Sequence, residues 1–67
     1  MELSARNQLR GKVKSVKTGS IMAEVEVDLG GQCIVSVITK ASVERLKLKQ
    51  GDAVTVIVKS TEVMLGK

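Results

Sequence analysis

Apolar and polar residues alternate with a period of two along most of the chain, which is the pattern of half-buried β-strands. The clearest segment is 21–29, where apolar residues hold the odd positions and carboxylates hold positions 24, 26 and 28. Segments 8–17 and 53–59 alternate in the same way. Val16 breaks the alternation in segment 8–17, which predicts a bulge or the end of the strand there.

The segment 32–38 is apolar on both faces, so we expect this strand to be central in the sheet or to form a subunit contact. It follows Gly30-Gly31, a pair typical of a two-residue hairpin turn because glycine adopts positive φ without strain. Further turns are indicated by Thr18-Gly19-Ser20 and Gln50-Gly51-Asp52. A last short strand is predicted over 62–65.

The alternation stops between 40 and 46, where Val43 and Leu46 stand three residues apart and no helix breaker occurs. We predict one short helix there, with Thr39 as its N-cap. Five short strands with a helix between the third and the fourth predict an all-β fold, a small five-stranded OB-like Greek-key barrel. An SH3-like barrel is the alternative, and the periodicity does not separate the two.

The composition limits this fold to a single small domain over 1–67 with few internal means of stabilisation. The 67 residues include no His, no aromatic residue and one cysteine, so neither a disulfide nor a zinc site reinforces the core. Association between copies is the remaining means, and we predict an obligate homo-oligomer. Cys33, inside an apolar strand, is expected to be a buried and inert thiol.

Cysteine usage and hydropathy predict a cytoplasmic protein without a membrane partner. A lone cysteine among apolar neighbours fits a reducing compartment. The first residues lack the apolar core of a signal peptide, and the longest apolar run is far shorter than a membrane span.

The residue types present argue against catalysis and against nucleic-acid binding. Without His the usual general base near neutral pH is missing, so we predict a protein that is not an enzyme and needs no cofactor. The carboxylates at 24, 26 and 28 are interpreted as a solvated strand face rather than as metal ligands. Barrels of the OB type stack bases on aromatic side chains, which this chain lacks, and its net charge of +4 is dispersed among acidic residues.

Hydroxyl and cationic donors recur instead at the ends of the predicted strands. Ser4-Ala5-Arg6-Asn7 precedes the first strand, Thr39 and Ser42 flank the start of the helix, and Lys59-Ser60-Thr61 follows the fourth strand. None of these clusters contains a carboxylate. A tetrahedral oxyanion offers only acceptor atoms, so clusters of N–H and O–H donors suit it. The capping of helices and turns is the other ordinary use of these residue types.

Several segments resemble the molbindins, small molybdate-binding proteins that consist of a single Mop (TOBE-like) domain. They are Ser4-Ala5-Arg6-Asn7-Gln8-Leu9, Gly11-Lys12-Val13, Val37 to Val43, Leu48 to Asp52 and Val56 to Met64, and together they span almost the whole chain. The resemblance implies storage and homeostasis of molybdate or tungstate in the cytoplasm. It also implies a homohexamer, a trimer of dimers in which strands are exchanged between subunits.

The resemblance further implies which residues bind the oxyanion. Ser4, Arg6, Lys59 and Ser60 match one side of an intersubunit site, and Thr39 and Ser42 match the side that a neighbouring chain supplies. A second site near the threefold axis is transferred onto Gly19, Ser20 and Ile21, with Asn7 nearby. The alternative functions are an oligomeric structural or adaptor module and an OB-type nucleic-acid binder.

Overall fold

A computed structural model describes residues 1–67 and contains one antiparallel sheet and one short helix. The elements in chain order are β1 (Asn7–Thr18), β2 (Met22–Asp28), β3 (Cys33–Thr39), α1 (Lys40–Leu46), β4 (Ala53–Val58) and a single 3₁₀ turn (Ser60–Glu62). The strands lie in the order β3-β2-β1-β4. Three strands joined by hairpins with a fourth returning beside the first form a Greek key. The predicted Greek-key topology and the helix between the third and fourth strands are confirmed.

A β-bulge near the middle of β1 explains why the apolar pattern changes phase. Val13 pairs with Val27 and Val16 pairs with Val25, so the register shifts between Val13 and Ser15. The extra residue, Lys14, moves the later residues by one position, and Val13 and Val16 therefore both face the core. A bulge also bends its strand, which curls the sheet around the core. The sequence predicted this irregularity at Val16, and the structure places it two residues earlier.

Gly11 allows β1 to pass close to the end of β2. A Cβ at this position would lie 2.6 Å from the Asp28 carbonyl oxygen and 2.6 Å from Val27 Cγ1. Any larger side chain would separate the two strands, so this interior position is occupied by glycine.

The helix α1 begins and ends at recognisable caps. The Thr39 hydroxyl oxygen accepts a hydrogen bond from the Ser42 amide at 3.1 Å, as expected of an N-cap. At the other end Lys47 is left-handed, with φ of 53°, and its amide donates to the Glu44 carbonyl. The Lys40 amide donates to the Ile21 carbonyl at 2.7 Å, which fastens the start of the helix to the β1–β2 turn. The helix thereby buries Val43 against the sheet.

Three expectations about the ends and edges of the sheet differ from the structure, the one about β3 only in part. Residues 62–65 contain the end of the 3₁₀ turn and no strand, so the sheet has four strands instead of five. The strand β3 is an edge strand and not a central one, so of the two alternatives expected for it only the subunit contact stays a prediction. Cys33 at the start of β3 is exposed rather than buried, since its face of the edge strand has nothing packed on it.

The core of a single chain is small. It consists of five buried residues, Val13, Ala23, Val25, Val27 and Val43, with partly buried apolar residues around them. Many large apolar side chains remain outside it. Val37 on β3 is 62% exposed and Leu65 near the C-terminus is 95% exposed. No helix of the chain has the length and hydropathy needed to cross a lipid bilayer.

Candidate oxyanion site

The first group of predicted site residues gathers where β1 begins and β4 ends. The two strands are antiparallel and Asn7 pairs with Val58. The next residues outward, Arg6 and Lys59, therefore leave the sheet side by side, and Ser4 and Ser60 follow them within two residues. We call Ser4, Arg6, Lys59 and Ser60 the Arg6 corner.

The cations of the Arg6 corner are free to bind an anion. Arg6 and Lys59 are exposed, and neither side chain makes a hydrogen bond or an ion pair within the chain. The only ion pair in the chain joins Lys14 and Glu26 at 3.7 Å, away from this corner. A guanidinium presents a planar fork of N–H donors and an ammonium presents a compact charge, so the pair suits a doubly charged oxyanion.

Thr39 and Ser42 form the second group, which we call the Thr39 cluster. The Thr39 hydroxyl donates to the Ser42 hydroxyl oxygen at 2.8 Å while it accepts from the Ser42 amide. Thr39 thus uses its single hydroxyl proton inside the cap, whereas the Ser42 hydroxyl proton remains available for an outside acceptor. Thr39 borders a shallow depression of about 480 Å³ that Ser20, Ile21, Lys40, Ala41 and Glu44 also line.

The structure does not bring the two groups together within one chain. The Arg6 corner lies at the start of β1, whereas Thr39 pairs with Met22 beside the end of β1. A straight strand of 12 residues would be roughly 36 Å long at about 3.3 Å per residue, and although the bulge bends and shortens β1, its two ends lie at opposite ends of the sheet. A single chain therefore carries two separate sets of donors.

The residues proposed for a second anion site are also divided. Gly19, Ser20 and Ile21 form the β1–β2 turn, which the Gly19 amide closes by donating to the Met22 carbonyl at 2.7 Å. This turn adjoins the Thr39 cluster. Asn7 lies at the opposite end of β1, next to the Arg6 corner, so within one chain it is not near the other three.

The row of carboxylates on β2 faces lysines of β1. Glu24 is opposite Lys17, Asp28 is opposite Lys12, and Glu26 pairs with Lys14. Opposite charges on facing positions favour this strand register over a slipped one. No group of three or more carboxylate, cysteine or histidine side chains is placed to hold a metal ion.

One contact at the Arg6 corner was not predicted from the sequence. The Gln8 side-chain amide donates to the Ala5 carbonyl at 2.7 Å. Glutamine has no strong preference for such a bond, so the sequence gives no signal of it. The contact becomes visible only when the direction of the Gln8 side chain is known.

The fold and the donor groups define a class, a small OB-like β-domain with hydroxyl and cationic groups at its strand ends. Comparison with known proteins identifies the family, because the model of the TOBE domain matches residues 3–65. Molybdenum-pterin-binding protein 1 of Clostridium pasteurianum is 50% identical over 66 residues, which are 97% of each chain. The chain belongs to the TOBE domain family and, within it, to the Mop proteins, the molbindins.

Solved structures agree with this assignment. A molybdate-binding protein from Sporomusa ovata superposes over 100% of both chains with a TM-score of 0.95 and 42% sequence identity. The cytoplasmic molybdate-binding protein ModG, solved with molybdate bound, is matched over 90% of this chain and 43% of its own, with a TM-score of 0.84 and 43% identity. These relatives are described as binding proteins.

Proposed function

We propose that the chain binds molybdate or tungstate between the subunits of a homo-oligomer. The Arg6 corner of one chain and the Thr39 cluster of another close around one anion. The observation that carries this proposal is the division of the matched residues between the two ends of β1. A tetrahedral oxyanion is much smaller than that separation, so a neighbouring chain has to supply the missing half.

Charge and hydrogen bonding define the role of each residue. Arg6 and Lys59, both without partners in the chain, balance the two negative charges of the anion. The hydroxyl groups of Ser4, Ser60 and Ser42 donate to its oxygens, and Thr39 holds Ser42 in place. Sulfate carries the same charge, so the size of the closed cavity distinguishes molybdate from sulfate, whereas tungstate is too similar in size to be rejected.

The surface of the single chain supports assembly. It exposes 5638 Å², whereas a folded monomer of 7.2 kDa is expected to expose about 4,100 Å². The excess of about 1,500 Å² is larger than the roughly 800 Å² that one partner contributes to a standard protein interface. Val35 and Val37 on the edge strand β3 are among the apolar side chains left uncovered.

The assembly we propose is a homohexamer, a trimer of dimers with exchanged strands. The chain leaves two unpaired sheet edges, on β3 and β4, and residues 62–65 without a strand of their own. Met64 and Leu65 in that segment are 92% and 95% exposed. Pairing of this segment with an edge of a neighbouring chain would supply the missing fifth strand and cover these side chains.

The biological role that fits these properties is storage and homeostasis of the anion in the cytoplasm. The chain would hold and release molybdate or tungstate without changing it, as a binding protein rather than an enzyme. The names of the relatives support this, since they are described as binding proteins and ModG as a cytoplasmic one. No further cofactor is required for such a role.

Isothermal titration calorimetry in phosphate-free buffer tests the proposal. Molybdate and tungstate should both give saturable heats with similar affinity, and sulfate should bind much more weakly. The absence of any heat with molybdate would contradict anion binding. In that case the exposed apolar side chains would favour the second candidate function, an oligomeric adaptor for another protein.

A further inference from the structure

The segment that carries Ser4 and Arg6 forms almost no hydrogen bonds with the rest of the chain. Residues 1–6 precede β1 and belong to no helix or strand. Their one hydrogen bond within the chain is the bond from the Gln8 side-chain amide to the Ala5 carbonyl, at 2.7 Å. Ser4 and Arg6 themselves are exposed and make no hydrogen bond.

The position of this bond couples it to both donor residues. The Ala5 carbonyl lies in the backbone between Ser4 and Arg6, so fixing it restricts the backbone torsions on either side. Gln8 is itself anchored, because it sits in β1 opposite Ile57 of β4. The bond therefore ties a segment outside the sheet to a fixed point inside it.

We propose that Gln8 is a positioning residue for the oxyanion site. This inference rests on the function proposed above. Its amide holds the Ser4–Arg6 segment close to the bound geometry before the anion arrives. Less freedom is then lost on binding, and the affinity is higher. The chemistry requires a hydrogen-bond donor at this position and excludes a carboxylate, which cannot donate to a carbonyl and would place a negative charge beside the anion.

The test compares Gln8→Met with Gln32→Met. Methionine keeps the length of glutamine and removes the donor. Gln32 is an exposed glutamine of the β2–β3 hairpin whose side chain makes no hydrogen bond, so its substitution is a matched control. Gln8→Met should weaken molybdate binding about three- to tenfold, the effect of one neutral hydrogen bond, and Gln32→Met should leave the affinity unchanged.

A second variant and a second measurement separate positioning from general stability. Gln8→Asn keeps the amide but is one methylene shorter, so it should lose the bond and weaken affinity in the same way. In both Gln8 variants the oligomeric state of the anion-free protein should stay as in the wild type, and the melting temperature should fall by no more than the few degrees that one hydrogen bond accounts for. The ¹⁵N heteronuclear NOE of the Arg6 amide should fall in the anion-free protein.

The outcomes distinguish this inference from the proposed function. Wild-type protein that does not bind molybdate would overturn the function itself. Wild-type binding with equal affinities for Gln8→Met and Gln32→Met would overturn the role of Gln8 alone. A loss of assembly in the Gln8 variants, or a fall in melting temperature much larger than one hydrogen bond accounts for, would also overturn it, because the residue would then act on the fold.

Discussion

Thr39 and Ser42 are joined by two hydrogen bonds, one between their hydroxyl groups at 2.8 Å and one from the Ser42 amide to the Thr39 hydroxyl oxygen at 3.1 Å. The same contact therefore caps the helix and orders the second half of the candidate site. The structural and the binding contributions of the two residues should be separable by substitution.

Thr39→Val keeps the shape of the side chain and removes the cap. It should cost about 1 kcal/mol in the free energy of unfolding, because the Ser42 amide loses its acceptor. Ser42→Ala leaves that amide bond intact but removes the hydroxyl that we propose faces the anion. It should leave stability nearly unchanged and weaken molybdate binding by about 1.5–3 kcal/mol. Thermal unfolding and calorimetry on both variants check this, and equal stability losses would contradict the division.

Removing either cation of the Arg6 corner should weaken anion binding. Arg6→Ala and Lys59→Ala should each cost about 1.5–3 kcal/mol of binding free energy, the value of a hydrogen bond to a charged group. Lys14→Ala is the matched control, since it removes one positive charge from β1 whose partner is Glu26 and not the site. If all three variants bind molybdate as the wild type does, the assignment of the corner is wrong.

The outer face of β3 should be part of the subunit interface. Val37 is 62% exposed and lies opposite Glu24 in the β2–β3 register. Val37→Lys would place an ammonium beside that carboxylate, so a single chain should tolerate the change. An apolar interface should not tolerate it, because the charge would be buried there. Sedimentation velocity should show smaller species, and molybdate binding should be lost with them. An oligomer of unchanged size would exclude this face from the interface.

The close approach of β1 to β2 should make Gly11 intolerant of any side chain. An alanine Cβ would lie 2.6 Å from backbone and side-chain atoms of β2 and 3.0 Å from Leu29 Cδ2. Gly11→Ala should therefore destabilise the protein by about 1–3 kcal/mol through strain. Gly66→Ala, at a position with no neighbouring atom within 4 Å, is the control and should have no effect. Chemical denaturation at equal protein concentration measures the difference.

The sequence predicted the features that depend on local pattern. The alternation of β2, the Gly30-Gly31 hairpin and the Thr39 cap all involve residues close in the chain, and each is confirmed. The bulge was recognised from Val16 but was located only by the pairing of Val13 with Val27, which is a long-range property.

The features that the sequence did not predict depend on which segments pair with the edges of the sheet. Residues 62–65 have the apolar residues of a strand, but a strand needs a partner, and none is paired with them in a single chain. The same lack leaves β3 at an edge and Cys33 exposed. At the candidate site, the sequence predicted that the donor residues lie at strand ends, and the structure places them there, whereas their role in binding stays a prediction. Their division between the two ends of β1 could be seen only from the register of the sheet.

Complementation between two defective variants tests most directly whether the anion site is shared by two chains. One variant carries Arg6→Ala with Lys59→Ala, and the other carries Thr39→Val with Ser42→Ala, so each retains the half that the other lacks. Alone, each should give no measurable heat with molybdate. After co-assembly in equal amounts, with mixed oligomers verified by native mass spectrometry, about a quarter of the sites should combine two intact halves and bind with wild-type affinity. If the mixed oligomers give no heat with molybdate while the wild-type protein gives a saturable heat, a site built between subunits is contradicted.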